Sequence, residues 1–561
     1  MSIQSFWVEE SGSRIYVTYY PATKPRSSVL IAPPIGPVYM HSKATLRKLA
    51  LKLSSSDFSS WSFDWPGYGN SCGTLPIENS IQAYADTLQL LSKVIYEHSG
   101  CKPVLVTLCS SSLITYKVLQ NNSLSAWVQW YPYSQGAGFI RDLELIDAAL
   151  SDTDKRSDLI TAGGYPIFRK DAEQYSTLKL SSYAPTNAIP ILCIHGPESK
   201  RQLFLNAYQE QGCDVRKHVS SELAQMARQA EYSIPAVNDI AYINDWVNGL
   251  ALSHEKLVNV SMPFPNHINF GDAKEEVIRL GKRHLFGILT MPTKAKAQHC
   301  LIIPNTGAGH HAGPNGLHTL MARKLAQNGF ATLRLDIENL GDSGGEFDTN
   351  NNDAYTVHAA ENIAEFVNEY LQMRFSRISL FGLCSGAYSA FQYVIMDENP
   401  RISKLFLANV NTLYWQPGED TATPEDAKQS IDDNYYKSQA RNISAWVDLL
   451  TKPSKWLRVM GKLVSMFKNI VGRLKRAIFG STTQLEKDVT KIVERDILFH
   501  FYFNKGEPGI EMLKQNTGRT FQRLIEQNKV NVSISSDGDH TFTSIQARND
   551  LINAVIKALS D

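Results

Sequence analysis

The chain has 561 residues, of which 43% are hydrophobic and 20% charged, as in a globular protein of more than one domain. Its 56 basic and 55 acidic residues give a formal net charge of +1, which predicts no overall attraction to nucleic acid or to a membrane surface. The opening residues MSIQSFWVEE lack a basic segment followed by an apolar core, and no apolar run approaches ~18 residues, so neither a signal peptide nor a transmembrane helix is expected.

The seven cysteines are scattered along the chain and form neither a CxxC pair nor a Cys/His metal spacing. Reduced thiols in a cytoplasmic protein are the simplest interpretation. We therefore expect no metal and no cofactor.

The chain begins with an expected β-hairpin, FWVEESGSRIYVTYY, and continues with short β-branched strands that alternate with segments of helical period. Strands that alternate with helices predict βαβ units and a mostly parallel sheet. One of these units contains the turn TLCSS, residues 107–111, between a strand and a helix.

The second half of the chain repeats the first at an offset of roughly 271–275 residues. Three pairs of segments carry the repeat: SSVLIAPPIGP and QHCLIIPNTGA, SSWSFDWPGYGNSCG and ATLRLDIENLGDSGG, VLVTLCSSSL and ISLFGLCSGAY. The second copy opens with its own expected hairpin, EEVIRLGKRHLFGILTM. We predict two α/β domains, residues 1–255 and 266–561, with the boundary near 252–270, where Pro and Asn break the periodicity.

The second copy carries a Gly-x-Cys-x-Gly turn between an expected strand and an expected helix, Gly382, Cys384 and Gly386. It resembles the nucleophile elbow of the α/β-hydrolase superfamily. The turn is so sharp that a Cβ at either glycine would collide with neighbouring backbone. The helix N-terminus that follows favours a thiolate at Cys384.

Two backbone amides are expected to bind an oxyanion beside this turn. One is the N–H of Ser385, directly after the nucleophile. The other is expected in the loop PNTGAGHH, from Thr306 or Gly307.

The order of residues in the superfamily is nucleophile, acid, then histidine. His540, the last histidine of the chain, lies in a polar loop between an expected strand and a C-terminal amphipathic helix, and we predict that it is the base. The acid is expected in the loop after the preceding strand, which favours Glu507, and Asp537 and Asp539 remain alternatives.

The first copy has lost most of this machinery. Its turn, around Cys109, has no glycine, and residues 220–247, where the histidine would be expected, contain none. The position of the acid is kept as Glu198. A thiol without a base is a poor catalyst, so residues 1–255 are predicted to be a pseudo-hydrolase domain that packs, shapes a substrate channel or docks a partner.

A long insertion at about 415–493 is predicted to form a helical lid. Within it, residues 452–480 combine an apolar stripe at helical spacing with many basic residues. A lid over the pocket is the favoured interpretation. A docking site for an acidic acyl carrier protein and a peripheral membrane contact are alternatives, and a nucleic-acid role is the least favoured.

The second copy also resembles the exosortase-system-associated hydrolases of bacteria, through LIIPNTGAG, DIENLGDSGGEF, FGLCSGAYSA and the lid stretch. The first copy resembles a companion group through VLIAPPIGPVYMHSK and FDWPGYGNS. The resemblance implies an α/β-hydrolase fold for both copies and does not supply a substrate.

The leading functional hypothesis is an acyl-transfer enzyme that forms a thioester on Cys384 and hydrolyses or transfers an acyl group. The donor is an ester or a thioester, and a donor bound to a carrier protein or to coenzyme A is one option. The alternative is a non-catalytic tandem scaffold that binds an acyl carrier or another protein. A thiolate exchanges readily with thioesters, which favours the first hypothesis.

Overall fold

The computed structural model describes residues 3–10, 12–149, 156–197, 204–229, 232–252, 262–345, 353–416 and 482–561. The chain divides into two compact units that interleave along the sequence. The first unit contains Met1–Ala297, Ala308–Asp353 and Thr541–Ile556, and the second contains Gln298–Gly307, Ala354–His540 and Lys557–Asp561.

The described residues of the first copy form ten strands: β1 Gln4–Glu10, β2 Ser13–Tyr20, β3 Ser27–Ala32, β4 Phe58–Phe63, β5 Val104–Leu108, β6 Ala126–Trp130, β7 Leu159–Ala162, β8 Tyr165–Phe168, β9 Ile191–His195 and β10 Val215–Val219. Eight of them form one sheet in the order β1-β2-β4-β3-β5-β6-β9-β10, and β7 and β8 pair separately. Strands β1 and β2 form the predicted hairpin, β2 pairs antiparallel with β4, and the pairings from β4 to β10 are parallel.

The helices of the first copy are α1 Val38–His41, α2 Lys43–Ser55, α3 Ser80–Ser99, α4 Tyr116–Gln120, α5 Gly136–Ala149, α6 Arg169–Thr177, α7 Phe204–Glu210, α8 Leu223–Met226 and α9 Val237–Asn248. The central strands β3, β5 and β6 are buried along their whole length, as expected of parallel strands covered on both faces. Helix α3 contributes Leu88 and Leu91 to one core cluster, while α2 and α9 contribute Leu49 and Ile243 to another.

The strands of the second copy are β11 His267–Phe270, β12 Ala273–Leu280, β13 Leu285–Pro292, β14 His299–Pro304, β15 Ala331–Leu335, β16 Arg377–Leu383, β17 Ile402–Ala408, β18 Leu498–Asn504 and β19 Val530–Ser535. In the first unit, β11, β12, β13 and β15 pair in that order and antiparallel, and β12 and β13 form the predicted second hairpin. In the second unit, β14, β16, β17, β18 and β19 pair in that order and parallel.

The helices of the second copy are α10 Leu317–Gln327, α11 Ala359–Phe366, α12 Ser385–Met396, α13 Gln484–Val493, α14 Pro508–Asn516, α15 Arg519–Glu526 and α16 Ile545–Ser560. The carboxyl ends of β16, β17, β18 and β19 lead into the loops that carry the candidate site. Parallel strands end at one edge of their sheet, so side chains from four separate loops meet there.

The predicted α/β fold class is confirmed: the sheet of the first copy is mostly parallel, β14 and β16 to β19 of the second copy pair in parallel, and helices flank these strands. The predicted lid lies almost wholly outside the described residues, because 417–481 are not among them, and this gap includes the basic stretch 452–480. None of the helices in the described ranges is long and apolar enough to span a membrane.

Candidate active site

Cys384 occupies the tight turn between β16 and α12, with φ 55° and ψ −117°. A Cβ on Gly382 would lie 2.2 Å from the carbonyl oxygen of Gly386, and a Cβ on Gly386 would lie 2.9 Å from that of Asn305. Both contacts are with backbone, which has little freedom to move away. The two glycines therefore allow the turn that presents the half-buried Cys384 thiol at the start of α12.

The imidazole of His540 is in contact with both of its predicted partners. Its Nδ1 lies 2.7 Å from Oε2 of Glu507, and its ring is within hydrogen-bonding reach of the Cys384 thiol. Burial by itself lowers the pKa of His540, but Cys384 and Glu507 outweigh it, so that this pKa is raised well above its usual value. An imidazole placed between a thiol and a carboxylate can exchange a proton with the sulfur.

Glu507 is held where its carboxylate can reach the ring. It follows β18 and is the residue immediately before α14, and it is only 8% exposed. The alternative acids have other contacts: the Asp537 carboxylate accepts from the Ser536 hydroxyl, and the backbone carbonyl of Asp539 accepts from the Asn504 side chain. The contact of 2.7 Å between Oε2 of Glu507 and Nδ1 of His540 therefore favours Glu507 among the three candidates.

The predicted oxyanion residues lie next to the turn. Ser385 is 1% exposed, and its hydroxyl accepts a hydrogen bond of 2.8 Å from the backbone N–H of Gly307. This bond ties the loop after β14 to the start of α12 and engages the Gly307 amide. Thr306, the neighbouring residue, is 8% exposed and is the other predicted source of a donor.

Two polar side chains that the sequence analysis did not select lie against the sulfur of Cys384. The Tyr355 hydroxyl and the Asn411 side-chain nitrogen are each 3.9 Å from Sγ. Both can donate a hydrogen bond to a thiolate. Asn411 lies just after β17, the neighbour of the nucleophile strand, and its position at that carboxyl end was the signal that could have identified it.

A pair of asparagines, Asn409 and Asn504, fixes the loop that carries His540. The Asn409 side chain donates to the backbone carbonyl of His540 at 3.0 Å, and its Oδ1 accepts from the backbone N–H of Asn504 at 2.9 Å. Asn504, in turn, donates to the backbone carbonyl of Asp539. The carboxyl ends of β17 and β18 thereby position the histidine loop that follows β19.

The corresponding turn of the first copy shares a positive φ at its cysteine, but a 3-10 helix, Cys109–Ile114, follows in place of an α-helix. Cys109 has φ 53°, almost the value of Cys384, and is 6% exposed. Burial raises the pKa of its thiol to about 12. His195 contacts the carbonyl of Gly196 and His218 stacks on Tyr242, while the predicted acid, Glu198, lies outside the described residues.

One group in the described part of the chain has the composition of a metal site, His311, Asp336 and Asp342. Protein hydrogen bonds already engage both oxygens of Asp336. Oδ1 accepts from the His311 backbone N–H at 2.6 Å, and Oδ2 contacts His311 Nδ1 at 2.7 Å and the Asp342 N–H at 2.8 Å. These hydrogen bonds account for the close approach of His311, Asp336 and Asp342, which we interpret as a hydrogen-bonded turn.

No protein-family model and no curated protein sequence matches this chain. Among solved structures, Est1E from Butyrivibrio proteoclasticus with bound ferulic acid is 12% identical, with a TM-score of 0.34, over 43% of this chain and 96% of that one. Proline iminopeptidase from Mycobacterium smegmatis is 10% identical, with a TM-score of 0.31, over 44% and 97%. A dienelactone hydrolase from Anabaena variabilis is 11% identical, with a TM-score of 0.30, over 51% and 97%.

Proposed function

We propose that this protein is an acyl-transfer enzyme that works through a thioester on Cys384. One observation chiefly supports the proposal, the unbroken series of contacts from Glu507 through His540 to Cys384. A nucleophile, a base and a group that orients the base, each within reach of the next, are the machinery of covalent acyl transfer.

In the first half-reaction, Sγ of Cys384 attacks the carbonyl carbon of an ester or thioester and a C–S bond forms. The amides of Ser385 and Thr306 would bind the resulting oxyanion. When the intermediate collapses, the bond to the leaving alkoxide or thiolate breaks, and the His540 imidazolium gives it a proton. The product of this step is an acylated Cys384.

In the second half-reaction, the neutral imidazole takes a proton from water or from an acceptor hydroxyl or amine. The activated oxygen or nitrogen attacks the thioester, and the C–S bond breaks. His540 then returns the proton to Cys384. Water gives a carboxylic acid, and an acceptor gives a new ester or amide, so hydrolase and transferase use the same residues.

The use of cysteine favours thioesters as donors, because a thiolate exchanges with them readily. We propose a donor bound to coenzyme A or to an acyl carrier protein, in a biosynthetic pathway. The basic stretch 452–480 is the surface that we propose for an acidic carrier, on its charge alone, since it lies outside the described residues.

Residues 1–255 are proposed to be a pseudo-hydrolase domain and 266–561 the catalytic domain. The buried, high-pKa thiol of Cys109 supports this division of roles. Such a thiol is a poor nucleophile at neutral pH.

The proposal is tested by thiol release from a panel of acyl-coenzyme A and acyl-pantetheine thioesters. Cys384→Ala is expected to remove turnover by at least ~10³-fold, because the covalent route is lost. Cys109→Ala, the matched cysteine variant, should keep most of it. Equal turnover by wild type and Cys384→Ala would exclude the covalent role, and a dead Cys109→Ala variant would reverse the roles of the two copies.

A further inference from the structure

A short segment after β17, residues 411–415, carries two polar atoms that the proposed acyl chemistry does not use. They are the side-chain oxygen Oδ1 of Asn411 and the indole nitrogen Nε1 of Trp415. Both atoms are shielded from water, and neither has a hydrogen-bond partner among the described residues. Shielded polar groups in folded proteins are almost always paired, so an acceptor and a donor left open on one segment need an explanation.

Asn411 places its acceptor close to the nucleophile. Its side-chain nitrogen lies 3.9 Å from Sγ of Cys384, and Oδ1 is bonded to the same carbon as that nitrogen. The nitrogen suits the sulfur, because a thiolate accepts hydrogen bonds and the amide nitrogen donates them. The oxygen is then available to a group that lies near the sulfur and carries an N–H or an O–H.

Trp415 lies against aromatic side chains that line the same sulfur. It packs on a buried cluster that contains Tyr355 and Tyr388, whose rings meet edge to face at a centroid distance of 5.4 Å. The Tyr355 hydroxyl is 3.9 Å from Sγ of Cys384. The N–H of Trp415 is therefore a donor for a group that extends away from the reacting carbonyl.

Hydrogen bonds to two helices of the second unit hold this segment in place. The side chain of Gln392, in α12, donates to the backbone carbonyl of Leu413 at 2.7 Å. The Tyr414 hydroxyl donates to Oδ2 of Asp488, in α13, at 2.7 Å. A segment held in this way keeps its acceptor and donor positioned before a substrate arrives, which lowers the entropic cost of binding.

The amide of a pantetheine arm has the groups that these two atoms lack. Two methylene groups link the thioester sulfur of such an arm to an amide, whose N–H donates and whose carbonyl accepts. The order of the groups also fits. Counted from the sulfur, the N–H comes before the carbonyl, and Asn411 contacts the sulfur of Cys384 directly while Trp415 contacts the aromatic cluster beside it.

We propose that Asn411 and Trp415 recognise the first amide of a pantetheine arm and so select pantetheine thioesters over other acyl donors. Oδ1 of Asn411 accepts from the amide N–H, and Nε1 of Trp415 donates to the amide carbonyl. This inference rests on the acyl chemistry proposed for Cys384, and it names the part of the donor that the site recognises.

The test compares three short donors that carry the same butyryl group. The thioester of N-acetylcysteamine has the amide N–H and the carbonyl, the thioester of O-acetylmercaptoethanol has an oxygen in place of the N–H, and S-pentyl thiobutyrate has neither group. We measure the rate at which Cys384 of the full chain is acylated and divide it by the rate for free cysteine with the same donor, which removes differences between leaving groups. This ratio should fall about tenfold from the first donor to the second and about tenfold again to the third.

The two residues are assigned by variants, each tested with all three donors. Asn411→Ala should remove the difference between the first and second donors. Trp415→Phe, which keeps a ring but lacks the N–H, should remove the difference between the second and third. Comparing donors within one variant cancels any effect of Asn411→Ala on the thiol itself.

Asn368→Ala, at an exposed asparagine of the second unit, is the control and should keep both differences. Thermal unfolding checks that each variant is folded, and the comparison in wild type needs no variant. Butyryl-coenzyme A and a butyryl-loaded carrier protein of fatty-acid synthesis carry the same arm, and their relative rates tell which of the two delivers it.

The outcomes separate this inference from the proposal on which it rests. No acylation of Cys384 by any of the donors would overturn the acyl chemistry and the recognition with it. Acylation of wild type at equal ratios by the three short donors would overturn the recognition alone. Differences that persist in both Asn411→Ala and Trp415→Phe would also overturn it.

Discussion

At the scale of single residues, the two cysteine turns differ in the groups that surround the sulfur. The sulfur of Cys384 has the imidazole of His540, the amide of Asn411 and the hydroxyl of Tyr355 around it. Cys109 is buried, and its pKa is raised to about 12. We therefore predict that the cysteine is reactive in the second turn and inert in the first.

The raised pKa of His540 predicts how the stability of the protein depends on pH. A group whose folded pKa lies above its unfolded value of ~6.5 stabilises the fold fully below that value, and the contribution is lost as pH rises through the folded pKa. Wild type should therefore exceed His540→Gln in thermal stability by more at pH 6 than at pH 9. The side chain is 36% exposed, so the difference should be modest.

Thermal unfolding of both proteins across this pH range measures the effect. His284→Gln, at a residue in the turn between β12 and β13, serves as the control. A difference between wild type and His540→Gln that stays constant from pH 6 to pH 9 would contradict the contact with Cys384 and Glu507.

Asn411 and Tyr355 are expected to hold the sulfur in its reactive form. Removing a hydrogen bond to a charged group costs about 1.5 kcal/mol, so Asn411→Ala should slow alkylation of Cys384 by iodoacetamide about tenfold at pH 7. Tyr355→Phe should act in the same direction. Asn368→Ala, an exposed asparagine of the second unit, is the control and should leave the rate unchanged. Equal rates in all four proteins would mean that neither side chain acts on the thiol.

At the scale of elements, the turn between β16 and α12 was predictable because its requirements are local. The sequence shows directly that glycines lie two residues before and two residues after Cys384. It also shows that the acid loop comes before the histidine loop. The expected strand, loop and helix around His540 are present as β19 and α16.

The supporting contacts were not predictable in the same way, because they join loops that are distant in sequence. Asn409 and His540 are 131 positions apart, and Gly307 and Ser385 are 78 apart. No local spacing encodes such pairs, and the parallel register that brings them together appears only in the folded sheet.

The geometry of the turn predicts that a methyl group added at Gly382 lowers the free energy of unfolding strongly. In Gly382→Ala, the new Cβ would meet the Gly386 carbonyl at 2.2 Å, so the backbone must shift. We expect a loss of at least ~2 kcal/mol in the free energy of unfolding. Urea denaturation measures it.

Gly138→Ala is the matched control, because that Cβ meets only a Tyr133 side-chain atom at 3.6 Å inside helix α5. It should be neutral or slightly stabilising. A Gly382→Ala protein as stable as wild type would show that the turn tolerates a side chain.

At the scale of the whole molecule, two sheets of one type carry unequal sites. The first copy has the positive φ at Cys109, while His540, Asn411 and Tyr355 lie around Cys384 in the second unit.

The central claim is that Cys384 becomes acylated, and intact-protein mass spectrometry after brief incubation with acyl thioesters tests it most directly. We expect an added acyl mass in wild type and Cys109→Ala and no such mass in Cys384→Ala. In His540→Ala the adduct should form slowly and persist, because its release needs the base. An adduct that survives in Cys384→Ala, or its absence from wild type with every donor, would contradict the account.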